Sequence, residues 1–173
     1  FAFEESYGYL AGDYARDKDA VTASMLIAEM AAYYRTQGKT LYDAMEEMYE
    51  KYGYYCEQTI SITMPGVSGL QRMKELMAEL REKPLTQIGP DKVEYTRDYQ
   101  PGTRTCMADG KAEEMELKGQ NVMYYELEGG TTFIIRPSGT EPKVKVYIMA
   151  KGDSKADAAA KVDALAAAAK EIV

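Results

Sequence analysis

The segment NVMYYELEGGTTFIIRP, residues 121–137, constrains the fold more than any other stretch of this chain. Two runs rich in aromatic and β-branched residues flank Gly129-Gly130, a pair that tolerates the positive φ of tight hairpin turns. An antiparallel hairpin is expected, and its second strand delivers Arg136. The following VKVYIMA reads as a further strand, with Lys143, Lys145 and Tyr147 on one side and Val144, Val146 and Ile148 on the other, toward a core.

The rest of the C-terminal part fits around this hairpin. In YYCEQTISIT, Cys56, Gln58, Ile60 and Ile62 alternate with Glu57, Thr59, Ser61 and Thr63, and KVEYTRDY at residues 92–99 is also strand-like. Ser68 is the expected N-cap of a helix running to Glu82, with Leu70, Met73, Met77 and Leu80 inward and Pro84 just beyond. Ser154 caps an alanine-rich helix on which Val162, Leu165, Ala169 and Ile172 share a face. Residues 100–120, rich in Gly, Pro and charge, read as a turn-rich excursion. The order β-α-β-β-β-α over residues 54–173 implies an α+β unit, a mainly antiparallel sheet with two helices on one face.

Residues 1–53 read differently. Residues 17–37 form a strong helix signal, with Val21, Met25, Ala28 and Ala32 on one face and Ile27, Met30, Ala31 and Tyr34 on a second. Two apolar faces predict a well-buried helix. Thr40, with Asp43 three residues on, caps a second helix carrying Leu41, Ala44, Met45, Met48 and Tyr52, closed by Gly53.

Composition removes whole classes of function. The chain has 173 residues, a formal charge of −7 and no histidine. An acidic surface argues against nucleic acid and anionic membrane as partners, because both need a basic patch. The lack of histidine removes the usual general base and the commonest transition-metal ligand. Cys56 and Cys106 stand far apart without a CxxC pattern, so neither a disulfide framework nor a zinc site is implied, and a reducing cytoplasm is the expected location. No apolar run approaches the roughly 20 residues that span a bilayer. The chain opens on Phe1, without an initiator methionine, as if it continued something longer.

Any anion site must then be local, and residues 136–151 offer one. Four cations, Arg136, Lys143, Lys145 and Lys151, stand here against Glu141 alone. Within Arg136-Pro137-Ser138-Gly139-Thr140 a planar guanidinium, two hydroxyls and backbone N–H groups could converge on a phosphate, with Gly139 allowing unusual φ and Pro137 and Pro142 restricting the chain around it. The same residues also suit a polar hairpin tip and a solvated strand face.

RPSGTEPK resembles the phosphate-binding loop of the α-D-phosphohexomutases, the phosphoglucomutase and phosphomannomutase superfamily, which often carries Arg-x-Ser-Gly-Thr-Glu-Pro-Lys. The resemblance assigns phosphate binding to Arg136, Ser138, Gly139 and Thr140, with Lys143 and Lys145 as auxiliaries. A second segment, FEESYGY at residues 3–9, is by itself an ordinary polar turn or a carboxylate and hydroxyl pair suited to sugar hydroxyls. It is similar to the family's sugar-binding loop, which implies hydroxyl contacts from Glu4 and Ser6, although Ala2 and Phe3 stand where the family usually has glycine nearby. ARDKDAVTAS resembles the segment after that loop, where a lysine equivalent to Lys18 approaches the active-site phosphate.

The resemblance extends over essentially the whole chain. It implies that residues 1–53 are the C-terminal portion of the third domain, a helical remnant of an α/β domain. Residues 54–173 would be the fourth domain, a TATA-box-binding-protein-like sheet with helices. The family's phosphorylatable serine and its aspartate-rich Mg²⁺ loop lie in earlier domains and have no counterpart here, so catalytic and metal residues are expected to be absent and the chain alone inactive. Asp13, Asp17 and Asp19 suit a helix start better than a cation. The implied function is substrate recognition in an isomerase that interconverts hexose 1- and 6-phosphates, its partners being the sugar phosphate and the N-terminal domains of the parent. A phosphopentomutase-type member and a non-catalytic phosphometabolite-binding module remain as alternatives. The sequence leaves the oligomeric state and the choice among glucose, mannose and pentose phosphate open.

Overall fold

The structure, a computed structural model, describes every residue except Glu5, Ser6 and Thr140. The chain divides into two compact units, Phe1–Tyr52 and Gly53–Val173.

In the first unit, β1 (Ala2–Phe3) pairs antiparallel with β2 (Tyr9–Leu10), and α1 (Ala20–Thr36) and α2 (Leu41–Tyr52) follow. Asp19 caps α1: its Oδ1 accepts from the N–H groups of Val21 at 2.9 Å and Thr22 at 3.2 Å, while Tyr14 Oη donates to Oδ2 at 2.9 Å. The Thr22 hydroxyl also donates to Oδ2, and this bond, followed by that from Tyr14, holds the Asp19 carboxyl at about 2. Thr40 and Asp43 cap α2 reciprocally, as their spacing predicts. Asp43 N–H donates to Thr40 Oγ1 at 3.2 Å, and Thr40 N–H donates to Asp43 Oδ2 at 2.7 Å. The expectation of a well-buried α1 is wrong. Among its described residues only Ala23 is buried, and Val21 is 81% and Met25 61% exposed. Two wide apolar faces need two broad partners, and this unit supplies α2 and two-residue strands.

The second unit begins with β3 (Tyr54–Thr63) and α3 (Gly66–Glu82), followed by β4 (Gln87–Ile88), β5 (Asp91–Asp98), β6 (Thr103–Cys106), β7 (Ala112–Glu114) and β8 (Met123–Leu127). A 3₁₀ turn at Glu128–Gly130 leads to β9 (Thr132–Pro137) and β10 (Lys143–Gly152), and α4 (Lys155–Ile172) closes the chain. Strand order is β3-β10-β9-β8-β5-β6-β7, with β4 beside β5 and every pair antiparallel. The expected hairpin is β8 and β9, with Gly129 at φ 74° and Gly130 at φ 77°, values that favour glycine.

Alternation along β10 decides where the core lies. Val144, Val146 and Ile148 are fully buried against Tyr125, Phe133 and Ile135 from the neighbouring strands, with Met73, Leu76, Met77 and Leu80 of α3 and Val162, Leu165 and Ala169 of α4 completing the cluster. Burial of a side chain of this size contributes about 1.5–3 kcal/mol, so this one face accounts for most of the unit's cohesion. Both helices lie on that face, leaving Lys145 and Tyr147 on a face that neither covers.

Three details of the second unit differ from expectation. α3 begins at Gly66 after Pro65, so Ser68 lies inside its first turn and no side chain caps it. Pro65, with φ −72°, and Gly66, with φ 79°, turn the chain three residues early. Leu70, in the first turns of α3, is 48% exposed, whereas Leu76 is buried with Met73, Met77 and Leu80. Finally, residues 100–120 contain β6 and β7, which extend the sheet. Their residues lack apolar alternation, and they are held instead by strand pairing and by Arg104, which bonds Glu113 and Glu126.

Candidate functional site: a cationic turn between two strands

The β9–β10 turn is built by strand pairing on both sides. Val144 lies opposite Pro137 and Lys145 opposite Arg136, and directly opposed residues project to the same side of a sheet. Arg136 and Lys145 therefore share the uncovered face. Inside the turn, Ser138 N–H donates to Lys143 O at 2.8 Å, Lys143 N–H to Glu141 O at 2.8 Å, and Glu141 N–H to Ser138 Oγ at 3.3 Å. Met64 N–H donates to Pro142 O at 2.8 Å, which pins the turn to the end of β3. A turn fixed at so many points loses little entropy when it holds a ligand.

Arg136, Pro137, Ser138, Glu141, Lys143 and Lys145 line a cavity of about 200 Å³. Three cations and one carboxylate surround it, and Glu141 forms an ion pair with Lys143. Among the described residues Arg136 is exposed and held by no ion pair. The structure thus brings together Arg136, Ser138, Lys143 and Lys145. Thr140, the remaining hydroxyl of the motif, lies outside the described residues.

Two expectations for the turn need correction. The Ser138 amide points into the strand ladder rather than toward a ligand, because it closes the base of the turn. Gly139 does not use a positive φ, and a Cβ added there would meet nothing within 4 Å. Open space lies over the backbone at this position.

The N-terminal segment forms its own small site. Glu4 N–H donates to Gly8 O at 3.0 Å, closing the turn between β1 and β2, and Tyr7 adopts φ 62°, uncommon for a bulky residue. Asp19 N–H donates to Tyr9 O at 2.9 Å, drawing the start of α1 against β2. That contact sets Lys18 beside the turn, where its ammonium lies 3.2 Å from the Glu4 carboxylate. Gly8 makes the pairing possible, since a Cβ there would fall 2.2 Å from Lys18 Cδ and 2.7 Å from Glu4 Oε1. Ser6, expected beside Glu4, lies outside the described residues. The Glu4–Lys18 pair and the role of Gly8 escaped sequence reasoning, because nothing local in a 14-residue separation signals them.

A helix-backed antiparallel sheet with a cationic turn joining two of its interior strands defines an α+β protein. Residues 1–52 match the family model described as "Phosphoglucomutase/phosphomannomutase, alpha/beta/alpha domain III", and residues 104–168 match "Phosphoglucomutase/phosphomannomutase, C-terminal domain". The chain is 39% identical over 155 residues to a phosphoglucomutase of Staphylococcus haemolyticus (strain JCSC1435), covering 89% of this chain and 28% of that protein. It is 36% identical over 166 residues to a phosphoglucomutase of Staphylococcus aureus (strain bovine RF122 / ET3-1), covering 95% and 30%. Among solved structures it resembles the open form of the exocytosis-sensitive phosphoprotein pp63/parafusin, a phosphoglucomutase from Paramecium. The TM-score is 0.58 at 13% identity, with 96% of this chain and 29% of that one covered, a likeness of fold. The chain belongs to the phosphoglucomutase/phosphomannomutase family, with its domain III sequence first and its C-terminal domain after. It spans about 30% of the length of the curated relatives it matches.

Proposed function

We propose that this chain is the substrate-recognition part of a phosphohexomutase, an isomerase that interconverts hexose 1-phosphate and hexose 6-phosphate. In this reading residues 1–53 are the end of the third domain and residues 54–173 the fourth. The observation that carries it is the cavity bounded by Arg136, Ser138, Lys143 and Lys145 at a pinned turn. Arg136 offers a planar donor pair to two oxygens of a phosphate, the lysines add point charge, and Gly139 leaves room for close approach. Thr140 supplies a second hydroxyl. Glu4 and Ser6 read sugar hydroxyls, and Lys18, held beside Glu4, is a further contact for the active-site phosphate.

Positioning is the contribution such a chain makes to phosphoryl transfer: it fixes the phosphate and sugar while other groups perform the displacement. Magnesium would serve the parent enzyme by neutralising charge on the transferring group. In this reading its ligands belong to other domains of the parent; among the described residues no three His, Cys, Asp or Glu side chains are grouped to hold a metal. Those domains and the hexose phosphate are the partners in this reading, and the cytoplasm is the location. Among the described residues no helix is long and apolar enough to cross a membrane.

The test is titration of the 173-residue chain with inorganic phosphate and glucose 6-phosphate, followed by NMR or calorimetry. Hydrogen bonds to charged groups contribute about 1.5–3 kcal/mol, so Arg136→Ala should weaken both ligands about 10- to 100-fold. Unchanged binding in Arg136→Ala would refute the assignment.

A further inference from the structure

The cavity at the turn accommodates a phosphate group, and two directions lead away from it. On one side, Ser138, Gly139, Glu141 and Pro142 meet Gly66, Val67 and Leu70 of α3 across a groove of about 410 Å³. The α3 wall presents apolar side chains, with Val67 85% exposed, and no side-chain hydrogen-bond partner. On the other side the uncovered sheet face begins. Strand register sets Arg136 opposite Lys145, and Lys145 opposite Ser61 of β3. One step further along, Tyr147 lies opposite Thr59.

Opposed side chains on one face of an antiparallel pair stand about 5 Å apart, so this row continues from the cavity without a gap. Ser61 and Thr59 are exposed, and their neighbours Ile60 and Ile62 pack toward the core, which sends the two hydroxyls to the uncovered face. Tyr147 is half-buried on that face, and the Lys145 ammonium lies 5.8 Å from its ring centroid. A polyhydroxylated ring needs hydrogen-bond partners and favours a flat carbon surface, and the sheet side provides both in one row, the hydroxyls of Ser61 and Thr59 and the aromatic ring of Tyr147.

The geometry points to Tyr147 and Ser61 as further specificity-determining residues: with phosphate held at Arg136, the sugar ring extends over the sheet, its face against Tyr147 and a hydroxyl bonded to Ser61. This rests on the phosphate-binding reading above. The ring then contributes affinity that inorganic phosphate cannot, and the difference between the two ligands isolates it.

The experiment compares inorganic phosphate with glucose 6-phosphate on the full chain and on Tyr147→Ala, Tyr147→Phe, Ser61→Ala and Arg136→Ala, with circular dichroism melts as a control for folding. Wild type should prefer the sugar phosphate. Tyr147→Ala and Ser61→Ala should each weaken it about three- to tenfold while phosphate affinity stays within about twofold, and Tyr147→Phe should retain most of the ring contribution. Equal loss of both ligands, no loss of either, or no preference in wild type overturns the sugar subsite. If phosphate binds and Arg136→Ala abolishes it, the cavity assignment survives that result. If wild type binds neither ligand, both readings fall.

Discussion

Gly69 offers a severe test of how the turn is anchored. It lies buried in α3, and a Cβ at this position would be 1.8 Å from the Met64 carbonyl oxygen and 2.3 Å from its carbon. Real Cβ contacts essentially never fall below 3.0 Å, so Gly69→Ala must drive the β3–α3 junction apart. The obstacle is backbone, which cannot rotate away as a side chain would. Overpacking of this kind costs about 3 kcal/mol at the upper end. Met64 is also the residue whose N–H holds Pro142 O, and losing that bond adds about 1 kcal/mol. Alanine's better helix propensity offsets about 1 kcal/mol. The net destabilisation is about 3 kcal/mol, or roughly 6–12 °C in the melting temperature of a chain this size. Thermal unfolding followed by circular dichroism measures it, and phosphate titration of the folded variant should show weaker binding because the turn has lost its tether. A melting temperature equal to or above wild type would refute the packing argument.

Gly139→Ala is the matched opposite: with open space above it and no positive φ, stability should change by less than about 0.5 kcal/mol, while phosphate affinity falls because a methyl group occupies the approach. Loss of stability without loss of binding would make Gly139 a structural residue only. Glu126 supplies a pH signature. Its carboxylate accepts from Arg104 Nε at 2.8 Å and Arg97 Nε at 2.6 Å, and these bonds, Arg104's first, hold it at about 2 against an ordinary 4.5. The folded value is the lower one, so its stabilisation of about 1–3 kcal/mol is complete above about pH 5 and disappears as pH falls toward 2. Melting temperature recorded from pH 7 to 3 should fall less steeply in Glu126→Gln than in wild type, and parallel curves would count against the pairing. Gly152→Ala should destabilise the β10–α4 junction, where a Cβ would fall 2.4 Å from Ala158 N, a cost of about 1–3 kcal/mol readable in urea unfolding midpoints.

Much of this protein was legible in its sequence. Period-two alternation in 144–148 and the glycine pair at 129–130 determined the hairpin, the core face and the emergence of Arg136 at a turn, because side chains on a strand can project only to one side or the other. Local capping chemistry was equally readable at Thr40, Asp43 and Ser154, since those bonds form within three residues. The resemblance of RPSGTEPK and FEESYGY to known loops gave the family. Tertiary structure alone decided what depends on distant partners. It put Ser61 in one row with Lys145 and Arg136, joined Lys18 to Glu4 across Gly8, recruited residues 103–106 and 112–114 as strands, and left α1 exposed where periodicity predicted burial. Register and burial are set by which surfaces meet, and a one-dimensional pattern records only which surfaces are available to meet.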